Sequence, residues 1–95
     1  MENVIIARHA GLVEWFRRNG ITGKVVSHAT PSDIEGKHVY GMLPFNLAAQ
    51  AASVTVVDMP RLTLEQRGKE LTPEEMDIAG ASLTTYVVKK VENVR

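Results

Sequence analysis

The run Val4-Ile5-Ile6-Ala7, unbroken by a polar residue and followed at once by Arg8-His9, constrains this chain more than any other feature. A strand that is apolar at consecutive positions must be covered on both faces, as strands of a parallel sheet flanked by helices are. The first strand is expected over Asn3 to Ala7. A helix follows from Ala10 to Asn19, with Leu12, Val13, Trp15 and Phe16 on its core face and Glu14, Arg17 and Arg18 opposite. Glu14 and Arg18 are spaced to pair at i, i+4, and Gly20 supplies the C-terminal cap.

The remaining elements alternate in the same way. Lys24 to Ser27 reads as a short strand ending at His28, and Thr30 before Pro31 predicts a helical turn or tight loop over Thr30 to Gly36. His38 to Met42 is the third strand, running into a helix opened by Pro44 and reaching Ala52. Ser53 to Asp58 is the fourth strand, stopped by Met59-Pro60. The polar stretch Arg61 to Glu70 leads to a capping box, Thr72 with Glu75, and a helix ending at Gly80. Leu83 to Val88 is a last strand by β-propensity, and Lys89 to Arg95 forms a polar tail. Strands that alternate with helices give one α/β domain over residues 1–95, a small Rossmann-like, mostly parallel sheet flanked by helices.

Composition narrows the function classes. The 95 residues contain no Cys, which removes disulfides, thiolate metal sites and a Cys nucleophile. Eleven Lys and Arg balance eleven Asp and Glu, so long nucleic acid is not gripped by bulk charge. No apolar run approaches the roughly 20 residues of a membrane span, and Met1-Glu2-Asn3-Val4 lacks a basic leader region, so the cytoplasm is the expected compartment. A chain this short buries only about 60 to 65% of its unfolded surface, which makes a homodimer the expected assembly. Three His residues spread over both sheet edges argue against a three-His metal site, and no cofactor is expected.

Ligands of open α/β sheets bind beyond the carboxyl ends of the strands, where the strand order reverses. That edge should hold Arg8 and His9, then His28, then Leu43 to Asn46, then Asp58 and Arg61; His38 begins its strand and lies at the other edge. Helices beginning near Ala10-Gly11 and Pro44-Phe45-Asn46 offer free N–H groups to an anion there, phosphate above all. Arg8, Arg61, Arg67 and Lys69 are the candidate cations. Against this, Arg8 and His9 can simply pair with Glu14 or Asp58, His28 can be a packing residue, and Lys69 and Glu70 a solvated pair. Trp15 and Phe16 read as core. Dinucleotide, nucleoside triphosphate and serine hydrolase signatures are absent. Arg8-His9 resembles the Arg-His-Gly opening of histidine phosphatases, but Ala10 intervenes before Gly11 and the chain is too short for that fold's second catalytic half.

Three segments stand in order along the chain, Ile6-Ala7-Arg8-His9-Ala10-Gly11-Leu12-Val13-Glu14-Trp15, Gly41-Met42-Leu43-Pro44-Phe45-Asn46-Leu47-Ala48-Ala49 and Arg67-Gly68-Lys69-Glu70-Leu71-Thr72, followed by Met76, Gly80-Ala81-Ser82-Leu83 and Tyr86. Together they resemble a small CRISPR-associated family, the Csx family numbered sixteen, found with type III systems. The resemblance implies a minimal CARF-like, Rossmann-type domain that binds and cleaves a cyclic oligoadenylate messenger, cyclic tetra-adenylate first, as a ring nuclease. Two departures stand out: Ala10 where a Pro often follows Arg-His, and Asn46 where a His often precedes Leu-Ala-Ala. The second matters more, because Asn orients a phosphate or hydroxyl but transfers no proton near neutral pH.

On that reading Arg8, His9 and Asn46 are the catalytic candidates. Arg8 would stabilise charge on phosphorus, His9 would move a proton with His28 as second candidate, and Asn46 would orient an oxygen. Gly11, His28, Leu43, Pro44, Phe45, Arg67 and Lys69 would contact the ligand. The competing expectation is a protein that sequesters the messenger without cutting it.

Overall fold

A computed structural model describes residues 2–94. Its elements are β1 (Asn3–Ile6), α1 (Ala10–Arg18), β2 (Lys24–Val26), α2 (Pro31–Ile34), β3 (His38–Tyr40), α3 (Phe45–Ala48), β4 (Ser53–Asp58), α4 (Pro73–Ile78) and β5 (Ser82–Tyr86). The five strands form one sheet in the order β2-β1-β3-β4-β5. β1 pairs in parallel with β2 and β3, and β3 with β4, while β5 returns antiparallel to β4. The expected small Rossmann-like sheet is therefore present.

The unbroken apolar run of β1 follows from its central place. Val4 faces a core with Ile34, Val39, Ala48, Ala51 and Val54, where α2 and α3 lie. Ile5 faces the opposite core with Ala7, Trp15, Phe16, Ile21 and Met76, where α1 and α4 lie. Phe16 is completely buried and makes edge-to-face contacts with Trp15 and Tyr40, with both ring pairs 5.8 Å apart. Each such buried side chain contributes about 1.5–3 kcal/mol through removal from water. Buried hydroxyls are satisfied: Ser53 Oγ lies 2.6 Å from His38 Nδ1, and Thr55 Oγ1 lies 2.8 Å from Thr85 Oγ1.

Local signals end the elements where the sequence places them. Gly20, at φ 78°, closes α1: its N–H donates to Arg17 O, and the Ile21 N–H donates to Phe16 O. Thr72 and Glu75 exchange backbone-to-side-chain bonds of 3.0 and 3.1 Å, the expected capping box. Thr30 opens α2 by donating its N–H and its hydroxyl to Asp33. Gly11 sits where a side chain cannot: a Cβ there would stand 1.9 Å from the carbonyl oxygen of Leu71, the residue that leads into α4's cap.

Several expectations need correction. Glu14 pairs with Arg17 rather than Arg18, and Arg18 reaches across to Glu74 on α4 instead. The helix foreseen from Pro44 to Ala52 is one turn, Phe45–Ala48, because the chain must descend at once to start β4 at Ser53. Pro44 is its N-cap rather than its first helical residue. The last strand begins one residue earlier and stops at Tyr86, so Val87 and Val88 lie outside it. No helix among the described residues is long and apolar enough to cross a membrane.

Candidate functional site

The connection from β1 leaves on one side to reach β2, and β3 returns to the other side of β1, so the strand order reverses between β1 and β3. The carboxyl ends of the two strands part there, which is where open α/β sheets hold ligands. A cleft of ≈ 240 Å³ lies at this place, lined by Ile6, Ala7, Arg8, His9, Leu12, Ser27 and Met42. Sequence reasoning foresaw Arg8 and His9. It missed Ser27 and Met42, which the sequence places as the last residues of their strands and the structure places just beyond β2 and β3.

Arg8 and His9 are both exposed, and the side chain of neither makes a hydrogen bond or ion pair with a described residue. The two carboxylates expected to pair with them, Glu14 and Asp58, bond to other residues instead. Glu14 is held by Arg17, whose hydrogen bond keeps that carboxyl below its ordinary range and the guanidinium above its own. Asp58 accepts a 2.7 Å bond from the Thr84 hydroxyl. Arg8 thus leaves an uncompensated positive charge at the cleft.

The start of α1 adds to it. His9 is the N-cap, its side chain makes no capping bond, and no acidic residue stands in the first turn. The first backbone N–H groups of a helix have no intrahelical acceptor, and they carry the positive end of the dipole. Arg8, an imidazole and these N–H groups around one cleft form a site suited to an anion, phosphate in particular.

The other predicted residues are distributed differently. Asn46 and Phe45, both exposed, line a separate groove of ≈ 730 Å³ together with Ala49, Gln50, Val88, Lys89 and Lys90. Leu43 and Phe45 border an apolar depression of ≈ 270 Å³ that Met42 shares with the Arg8 cleft. Pro44 is exposed and lines none of these. His28 is exposed just beyond the cleft, where its neighbour Ser27 takes part.

Arg67 and Lys69 are exposed, lie in a turn-rich segment and make no ion pair with a described residue. That segment returns through Leu71 onto Gly11, beside the start of α1. Arg61 is turned away, donating to the carbonyl of Ile78. Gly11 has a packing reason for lacking a side chain, in its contact with Leu71. No group of three or more His, Asp or Glu among the described residues is placed to hold a metal ion.

The Arg8 cleft and the apolar depression both fall inside one family's sequence profile, which matches residues 4–89. No curated protein and no solved structure gives a significant match. The matched family is described as "Putative CRISPR-associated protein (Cas_VVA1548)", and the chain, matched over nearly its full length, belongs to it.

Proposed function

We propose that this protein is a ring nuclease of type III CRISPR defence, a CARF-like domain that binds cyclic tetra-adenylate and cleaves it to linear products. The observation that carries the reading is the cleft at the strand-order reversal, with Arg8 unpaired, His9 beside it and the open start of α1. Membership of a CRISPR-associated family supports it, as does the resemblance of the Arg8-His9 and Met42-Leu43-Pro44 segments to the Csx family. A two-fold ligand suits a two-fold homodimer in which both copies present this edge.

In the reaction a ribose 2′-oxygen attacks the adjacent phosphorus, and the bond from phosphorus to the 5′-oxygen breaks. A 2′,3′-cyclic phosphate is left. One proton departs from the 2′-hydroxyl and one is supplied to the 5′-oxygen. Holding the attacking and leaving oxygens in line provides much of the rate. Arg8 and the N–H groups of Gly11 and Leu12 face the charge that grows on the phosphoryl oxygens. His9, the one imidazole lining the cleft, moves the proton. Arg67 and Lys69, carried by the segment docked on Gly11, supply further cations to the ring.

A second reading has one observation behind it. Asn46 lines the Lys89 groove and not the Arg8 cleft, so His9 has no polar partner from α3. A site so equipped suits holding the ring intact, and a sequestering protein would then act stoichiometrically.

Replacing Arg8 and His9 by Ala separates the cases. Both side chains are exposed, so the double variant should melt within a few degrees of the parent. Single-turnover cleavage of cyclic tetra-adenylate should fall at least about 100-fold, in line with loss of a proton-transfer group and an oxyanion partner. An unchanged rate in the folded variant would refute the site. Tight binding without cleavage by the parent would select sequestration.

A further inference from the structure

The face of the sheet covered by α2 and α3 is incompletely closed. α3 is a single turn, and beside it the chain leaves an apolar depression of ≈ 270 Å³ over Val54 and Val56, with no charged residue in its lining. Around it stand large apolar side chains in water: Met42 and Phe45 are each 82% exposed, Val87 76% and Tyr86 52%. Four such side chains expose roughly 500 Å², near the top of the ~300–600 Å² patch a monomer carries and a large part of the ~800 Å² per partner of a stable interface.

We propose that this face is the homodimer surface, with Phe45 of each copy seated in the apolar depression of the other. Three observations select a second copy as occupant. The projecting aromatic and the depression lie on the same face, so one two-fold axis satisfies both at once. Neither α3, Phe45–Ala48, nor β5, Ser82–Tyr86, carries a charge in a chain where 23% of residues do, so two copies meet there without like-charge repulsion. Lys89 and Lys90 stand beyond Phe45 in the adjoining groove, at a rim where water still reaches them.

The face also adjoins the ligand cleft. Met42 lines both the depression and the cleft that holds Arg8 and His9, so the partner copy comes to the cleft mouth. This gives the dimer of the preceding reading its surface, and it rests on that reading only for the symmetry of the ligand.

Sedimentation of the full chain across the micromolar range tests it, with Phe45→Asp, Val87→Asp and Leu64→Asp beside the parent. Leu64 is 83% exposed but lies in the segment between β4 and α4, lines neither the depression nor the adjoining groove, and serves as the control. The parent should sediment as a dimer, and so should Leu64→Asp. Phe45→Asp should raise the dimer dissociation constant at least about 100-fold, because a two-fold interface buries the new carboxylate twice. Val87→Asp should weaken it in the same direction, and circular dichroism should be unchanged in all three. A monomeric parent, or a Phe45→Asp protein that dimerises as the parent does, overturns the proposal. A dimer that neither binds nor cuts the ring sinks the ligand reading alone, while a ring-cutting monomer sinks this one alone.

Discussion

Replacing Gly11 with Ala should destabilise this protein although alanine is the better helix former. The helical preference favours the variant by about 0.5–1 kcal/mol. Against it, the new methyl group would lie 1.9 Å from Leu71 O and 3.1 Å from its carbonyl carbon. Relief requires the segment before α4 to move by roughly an ångström from the start of α1. Overpacking of this kind costs about 1–3 kcal/mol, and the upper end applies because a backbone carbonyl cannot rotate aside as a side chain does. The net loss should be about 2 kcal/mol, or about 10 °C in melting temperature for a domain this size. Urea denaturation of the parent, Gly11→Ala and Gly20→Ala measures it. Gly20 has no atom in the way and only a left-handed backbone, so it isolates the conformational cost, about 1–2 kcal/mol. A Gly11→Ala protein as stable as the parent would show that α1 and the Leu71 segment are not packed this closely.

Other consequences can be measured alongside. Asp77→Ala should cost about 1.5 kcal/mol in denaturation, because Trp15 is buried and its indole N–H, 2.7 Å from Asp77 Oδ1, would lose its acceptor; Asp77→Asn, which keeps an acceptor, should cost less. The Asp33 carboxyl is held below its ordinary range by the Thr30 backbone N–H first and the Thr30 hydroxyl second. Its folded value lies below its unfolded one, so its contribution is present above about pH 3.9 and lost as pH falls through the folded value. Asp33→Asn should therefore flatten the acid limb of stability against pH, with the Glu14 share remaining; an unaltered limb would show that the α2 cap does not persist in solution.

Much of the fold was legible because the strongest signals were local. The apolar run of β1, the Gly20 cap and the Thr72-Glu75 box each depend on neighbours within a few residues, and each stands in the structure as read. What failed depended on partners far along the chain. Arg18 pairs with Glu74, 56 residues away, in place of the nearer Glu14, which Arg17 takes. The shortness of α3 is set by the distance from the end of β3 to the start of β4, which no helix propensity encodes. The site divided in the same way. Arg8 and His9 follow from strand-end logic, and the structure leaves them unpaired at the cleft. Asn46 joins them in the sequence because it follows β3 at the same edge and stands where the resembling family often has a His, but the turn of α3 carries it round to the Lys89 groove. Met42, the residue that joins cleft and depression, carries a side chain with no chemical signature, and only the packing shows that it borders both.

Catalysis at the Arg8-His9 cleft is the step on which the proposed function stands. Its most direct test is a time course with a several-fold excess of cyclic tetra-adenylate over the purified full chain, in the presence of EDTA, with products resolved by chromatography. The entire excess should be converted to linear oligoadenylate ending in a 2′,3′-cyclic phosphate. Ligand recovered intact after prolonged incubation with folded protein would contradict it.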